Sequence, residues 1–499
     1  MFEVAELGQR IEAEDYNQQV PELRTSLLEV QQRLKDAPFP VVVLISGSDG
    51  SGKGEMVNRL NEWMDPRYMR TFAFGDQTQD ERERPNYWRF WRKLPARGHV
   101  GLYVGSWYSD PIAERVANHI NDAELDGALV RIRLFEKGLA EDGALVIKIW
   151  LHLSLEQQTL RLESLAADPL TAWRVTERDR EHLHLYTRFR SIAEHTLRQT
   201  STAFAPWVVV ESSDRNYRDI TIATHVLERI RHHLDLYESG AKPQSPVDSL
   251  PMIKRPKTLL GSLDLKQSLD KREYQQQLEF WQGKLALLAR QARQRSVSMV
   301  IVLEGWDAAG KGGLIRRIIP ALDARNYQVI PIAAPTDEEY AHHYLWRFWR
   351  HLPRDGKVTI YDRSWYGRVL VERVEGFASK SEWMRAYSEI NDFESQLVEH
   401  GSLVVKFWLH IDQDEQLKRF KERETISYKR HKITEEDYRN RERWTDYEAA
   451  VNDMVERTST ELAPWHLIEG NNKRFARIKA LQTLCERLQN HLDIAESID

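Results

Sequence analysis

The 499-residue chain has a single cysteine, Cys485, so no internal disulfide can form and a reducing, cytoplasmic setting is expected. Cys485 lies in the helical pattern LQTLCERLQNHL and reads as a small buried side chain rather than a nucleophile. No apolar run approaches the roughly 20 residues needed to cross a bilayer. The first residues, MFEVAELGQRIEAED, are acidic where a secretion signal would be basic and then apolar, so neither export nor a membrane partner is expected. A surplus of positive charge is missing too: 71 Lys and Arg face 76 Asp and Glu, a net charge of −5. Without a general basic field, nucleic acid is not an expected partner, and any polyanion site must be a local concentration of Arg and Lys.

What the chain does have, it has twice. Lys53 and Lys311 stand 258 residues apart, each in a glycine-rich loop, and the same offset superimposes WRFWR at 88–92 on 346–350 and SWY at 106–108 on 364–366. It also pairs Phe135-Glu136 with Phe393-Glu394, WLH at 150–152 with 408–410, and APW at 205–207 with 463–465. The period is far too long for a solenoid, so a whole domain is duplicated. Length alone agrees, since one core stops growing at roughly 250–300 residues. The expected organisation is a domain over 1–238, a Pro- and Ser-rich linker over 239–262 (SGAKPQSPVDSLPMIKRPKTLLGS) and a domain over 263–499.

Each copy reads as a leading helix (21–35; 270–294), an apolar strand (41–46; 299–304), the glycine loop and an amphipathic helix. Further buried strands follow at 100–104, 145–151 and 207–211, and at 358–362, 403–409 and 465–469. A helix is also expected over 435–457. Strands apolar on both faces, alternating with helices, predict an α/β fold with a parallel sheet covered on each side.

Residues 305–311, GWDAAGK, fit G-x-x-x-x-G-K after a strand and before a helix. Gly305 and Gly310 let backbone N–H groups turn inward around an anion, Lys311 reaches the outer phosphates, and Gly312 and Gly313 continue the set at the mouth of the loop. The Ser or Thr that usually follows the lysine and binds magnesium is absent, and Asp307 is the candidate replacement. Asp362, at the end of the strand VTIYD, is the second candidate carboxylate, a Walker B position, and Arg363 beside it is placed to meet developing phosphoryl charge. The metal would be Mg²⁺ or Mn²⁺. The WRFWR segment, with Arg347 and Arg350 on one side and Trp346 and Trp349 on another, suits either aromatic packing or phosphate contact. The stretch KRFKERETISYKRHK at 418–432 carries Lys418, Arg419, Lys421, Arg423, Lys429, Arg430 and Lys432; it reads as a solvated face or, downstream of such a loop, as a basic lid over phosphates.

The first copy keeps Lys53 and Asp49 but has Val104 and Gly105 for Asp362 and Arg363, and Leu160, Glu163, Leu165 and Thr171 for Lys418, Lys421, Arg423 and Lys429. Glu55 replaces Gly313, which reads as an anion where phosphate would approach. Losses confined to charge-handling positions predict that the first copy is retained for its shape, docked as an internal pseudo-dimer on which a homo-oligomer could be built.

GWDAAGKGG and LWRFWRHLPRDGKVTIYDRSWYGRVLVERVEGF at 345–377 resemble the P-loop polyphosphate kinases of the second type, across nearly all of 270–495 and, with the gaps just named, across the first copy. That resemblance implies a thymidylate-kinase-like parallel sheet of about five strands per copy. Its fused two-domain members imply transfer of a phosphoryl group from inorganic polyphosphate to AMP, giving ADP, with magnesium. It also implies that Asp307 and Asp362 organise the metal and the acceptor, Lys311 the transferring group, Arg363 the developing charge, and Arg423, Lys429 and Lys432 the nucleotide or polyphosphate. An acidic residue of the family falls where Glu372 lies. The residues themselves leave open a nucleoside mono- or diphosphate kinase that uses ATP or extends polyphosphate, and a non-catalytic polyphosphate or nucleotide sensor.

Overall fold

The structure, a computed structural model, describes residues 2–175, 183–239, 259–425 and 435–498. It divides into two compact units, one of Met1–Gln77, Arg89–Ser245 and Asp337–His343, the other of Thr78–Trp88, Pro246–Thr336 and Tyr344–Asp499. Residues 240–258 of the expected linker lie outside the described residues; its last three, Leu260–Ser262, form a 3-10 turn with Leu260 buried.

The first repeat builds one sheet from β1 (Val41–Gly47), β2 (Met69–Ala73), β3 (Val100–Val104), β4 (Leu145–His152) and β5 (Trp207–Glu211), in the order β2-β3-β1-β4-β5. The second has β6 (Met299–Gly305), β7 (Tyr327–Pro331), β8 (Val358–Asp362), β9 (Leu403–His410) and β10 (Trp465–Glu469), in the order β10-β9-β6-β8-β7. Every pairing between neighbours that the ladders record is parallel, so both sheets are the predicted α/β layer with the loop-bearing strand at its centre. β4 and β9 are buried at all eight positions, which is why they read as nearly continuous apolar runs.

One lysine interrupts each of those runs, and each is matched. On β9, Lys406 donates to Glu394 Oε2 at 2.6 Å, to Tyr366 Oη at 2.8 Å and to the Thr458 carbonyl at 2.7 Å. Trp365 Nε1 and Tyr366 Oη donate to the other oxygen of Glu394. The first repeat repeats the arrangement with Lys148, Glu136, Trp107, Tyr108 and Thr200. Buried charges persist only when paired and fully hydrogen-bonded, so the recurring SWY and Phe-Glu motifs belong to this clamp. It fixes the backbone just beyond Asp362 and Arg363.

Three expectations shift in detail. The leading helix of the first repeat runs Ala13–Leu34, not 21–35: Pro21 sits inside it, one turn after the exposed Asn17 whose carbonyl loses its partner there. The helix expected over 435–457 is two, Glu435–Glu442 and Trp444–Thr458, broken at Arg443. β2 and β7 were not among the strands read from sequence; both are short edge strands in which Met69 alone is buried, and β7 ends in Pro331.

Candidate phosphate site of the second repeat

Gly305 ends β6 with φ +147°, and a Cβ there would lie 2.5 Å from the Leu409 carbonyl oxygen, so only glycine lets the chain turn off the sheet here. The loop then enters the helix Lys311–Ile318 through Gly310 at φ +119°. Lys311 folds back, donating to the Gly305 carbonyl at 2.7 Å and that of Trp306 at 3.3 Å. Gly312 and Gly313 form the first turn of that helix, and the Arg477 guanidinium stands 3.2 Å from where a Cβ on Gly313 would be.

Asp307 points across the cleft. Its Oδ1 accepts from Arg363 Nη2 at 3.0 Å and its Oδ2 from Asn440 Nδ2 at 3.2 Å. Burial alone would raise its pKa, but Lys311 and Arg363 outweigh that and hold it below the usual carboxylate range. Asp362 is the last residue of β8, in register with Leu303 two residues before Gly305, at the carboxyl edge where ligands of such sheets bind. Arg363 follows at φ +66°, a left-handed conformation that costs a non-glycine residue about 1–3 kcal/mol. Ala308 in the loop is also left-handed, at φ +62°. The first repeat has glycine at both places, Gly105 and Gly50, each at φ +73°. The strain is kept only in the copy that keeps the guanidinium.

Sequence reading missed Glu304. It lies 5% exposed on β6, accepts from Ser364 Oγ at 2.8 Å, and its pKa is pushed to about 7 by burial, which Lys311, Ser364 and Arg363 only partly offset and Asp362 reinforces. Glu304 is therefore electrostatically coupled to Lys311, Asp362 and Arg363, and the first repeat has Ser46 in its place. A carboxyl near 4.5 when unfolded and near 7 when folded binds its proton more tightly in the fold. The stability this adds is complete below the unfolded value and lost as pH rises through about 7. Glu304→Gln should thus gain stability relative to the parent between about pH 5 and pH 8, by up to about 3 kcal/mol in urea unfolding without ligand; a constant gap would show that the carboxyl is not perturbed.

Arg419, counted in the basic lid, does something else. It is 2% exposed and donates to the carbonyls of Ala308, Ala309, Gly470 and Asn471 and to Glu415, so it buttresses the loop from beneath. Lys418, Lys421 and Arg423 lie on the helix Gln413–Thr425, with Arg423 half-buried in its last turn; Lys429, Arg430 and Lys432 lie outside the described residues. Glu372 pairs with Arg368 at 3.2 Å, and burial raises its pKa against the pull of Arg368 and Arg347. Arg347 donates to the Ala333 carbonyl at 3.1 Å. Trp346, Phe348 and Trp349 are buried, Trp349 edge-on to Phe393, so WRFWR builds core. Cys485 is fully buried with its thiol pushed up to about 12, as a structural cysteine should be.

Two aromatic features also escaped the sequence reading. Trp306 stacks on Trp444 with centroids 3.6 Å apart and planes 8° from parallel, and it donates to His410 Nδ1 at 3.1 Å. Trp408 donates to the same nitrogen, and burial lowers the His410 pKa to about 4, so the imidazole is neutral and accepts. In the first repeat, Glu55 is the anion expected at the mouth of the loop, and it is paired. Arg161 at 2.9 Å and Arg218 at 3.1 Å bind it, and their charges outweigh its burial and hold its pKa low.

The comparisons with known proteins match this doubled architecture. The family described as polyphosphate kinase 2 matches residues 10–235 and again 268–495. A polyphosphate:AMP phosphotransferase of Pseudomonas aeruginosa is 51% identical over 98% of this chain and 99% of its own, and one of Pseudomonas syringae pv. tomato is 50% identical over 98% of each. A crystal structure described as a polyphosphate kinase 2 of Pseudomonas aeruginosa superimposes with a TM-score of 0.87 at 50% identity, covering 99% of both chains. With both repeats matched and the loop, the strand-end acid and the buried clamp all in place, the chain belongs to the polyphosphate kinase 2 family.

Proposed function

We propose that the second repeat moves the terminal phosphoryl group of inorganic polyphosphate to AMP, giving ADP and a polyphosphate one unit shorter. The observation that carries this is the meeting of Lys311, Asp307 and Arg363 at the loop, with Glu304 behind them and Asp362 at the adjoining strand end. The acceptor is taken from the end-to-end relatives, which are named for AMP.

In this reaction an oxygen of the AMP phosphate attacks the terminal phosphorus. A new P–O bond forms, the bridging P–O bond breaks, and its electrons stay on the shortened chain. The AMP phosphate is already largely deprotonated near neutral pH, its second pKa being about 6, so no strong base is required. Catalysis then rests on alignment and on charge neutralisation. Backbone N–H groups of Gly310 and Gly312 hold the phosphate at the helix start, where the helix dipole favours anions, while Gly313, its own N–H given to the Gly310 carbonyl at 2.9 Å, keeps the approach free of a side chain. Lys311 swings from the Gly305 carbonyl onto the transferring group, and Arg363, one N–H already given to Asp307, turns its remaining donors to the equatorial oxygens. Arg423, with Lys429 and Lys432, screens the chain of phosphates. Glu372 acts at one remove, by pairing with Arg368 at 3.2 Å, and the charge of Arg347 favours the ionised form of Glu372.

The donor set fits Mg²⁺ or Mn²⁺. Asp307 and Asp362 are hard oxygen ligands, and among the described residues no group of three or more His, Cys, Asp or Glu could hold a metal alone. A site with two acids suits a cation that completes its shell with phosphate oxygens and water. When bound, such an ion would neutralise charge between donor and acceptor phosphates. Purified protein given AMP, Mg²⁺ and long-chain polyphosphate should form ADP. No ADP, with activity appearing once ATP is the donor, would overturn the reading.

A further inference from the structure

The loop of the first repeat borders a cavity of about 410 Å³. Its origin is legible in the paired sequences: Ser48 stands where the second repeat has Trp306, and Tyr186 where it has Trp444. The stacked indoles of the second repeat are thus replaced by a hydroxymethyl group and a smaller ring. Lys53 keeps the posture of Lys311, donating to the Gly47 and Ser48 carbonyls at 2.9 Å each. Opposite the loop, Ile112, Val116 and Phe189 give the cavity an apolar wall.

Three buried polar atoms on residues lining this cavity have no hydrogen-bond partner: Ser48 Oγ, Gln158 Oε1 and Trp150 Nε1. Each residue is 3% exposed. Their counterparts in the second repeat differ in this respect. Gln416 donates to the Asp307 carbonyl and accepts from Arg441, and Trp408 donates to His410. In the first repeat Leu183 takes the position of Arg441, and His152 turns to Glu6. These three atoms are closed to solvent, so they belong to the wall behind the lining, and the space in front of them is what the missing indole leaves.

The lining restricts the charge of an occupant. Lys53 and His119 are balanced by Asp49 and Glu114, which disfavours a long polyanion but suits a single phosphate at the helix start. The apolar wall suits an aromatic ring. We infer that the first repeat binds a nucleoside monophosphate in this cavity, its phosphate at Lys53 and its base against Ile112, Val116 and Phe189. It transfers nothing there, because Val104 and Gly105 replace the acid and guanidinium of the second repeat. This is a second nucleotide site, and it stands independently of which acceptor the second repeat uses.

The test is calorimetric titration of the full chain with AMP and Mg²⁺, without polyphosphate. Ser48→Trp, which rebuilds the indole of the sister copy, should bind one AMP fewer per chain than the parent. Equal stoichiometry and affinity in the two proteins would overturn the inference, whatever the second repeat does. A measurement needing no substitution is photolabelling of the parent chain with 8-azido-AMP and peptide mapping. Label within 105–119 or 185–189 supports the cavity site, and label confined to the second repeat overturns it.

Discussion

Arg363→Gly should lower kcat by about 10³–10⁵-fold while leaving the fold as stable as the parent, or more so. Both halves of this result come from one backbone angle. At φ +66° the residue occupies a region where a side chain costs about 1–3 kcal/mol, and glycine relieves that strain. The loss on the other side of the ledger is one half-exposed ion pair to Asp307, and such pairs contribute about 0–1 kcal/mol. The clamp below, Trp365 and Tyr366 on Glu394, holds the turn without help from the guanidinium. Gly105 shows the glycine form of the same turn, at φ +73° over the same clamp. Initial rates with saturating polyphosphate and AMP, paired with urea unfolding, separate the two effects. A variant that loses activity together with several kcal/mol of stability would mean that Arg363 holds the structure up, and its assignment to the phosphoryl group would fail.

The second large effect is an asymmetry between equivalent lysines. Lys311→Ala should reduce kcat by about 10²–10³-fold, the cost of removing one preorganised charge from a transition state. Lys53→Ala should cost at least an order of magnitude less. Both ammonium groups now bond the carbonyl of the glycine that opens their loop, at 2.7 Å and 2.9 Å, so posture does not distinguish them. Their surroundings do: Glu304, Asp362 and Arg363 near Lys311 correspond to Ser46, Val104 and Gly105 near Lys53. Comparable collapse in both variants would place chemistry in the first repeat and contradict the division of labour between the copies.

Much of this was written in the chain. The central strands were legible because residues buried on both faces leave nearly continuous apolar runs, and the loops because glycine, lysine and a following helix occur together. The edge strands β2 and β7 were not, since MRTFA and YQVIP face solvent along much of their length and carry no burial signal. Glu304 was hidden by its position as the last side chain of an apolar strand before the turn; comparing it with Ser46 would have exposed it as one more charge absent from the first copy. Arg419 was misassigned because a run of cations reads the same whether its members face water or support carbonyls. Its pairing with four loop and strand-end oxygens depends on the approach of residues some fifty and a hundred positions away, which no local pattern encodes. The pairing of Glu55 was hidden for the same reason, its partners Arg161 and Arg218 being distant in the chain.

The doubled Glu–Lys clamp has a further consequence for how such a chain can change over time. The side chains that specify its shape, Trp365, Tyr366, Glu394 and Lys406, share no member with those that specify the reaction, Asp307, Lys311, Asp362 and Arg363. Mutation can therefore erase one group while selection preserves the other. A duplicated enzyme built this way can keep, in a copy that lacks the second group, an intact vessel available for a different use.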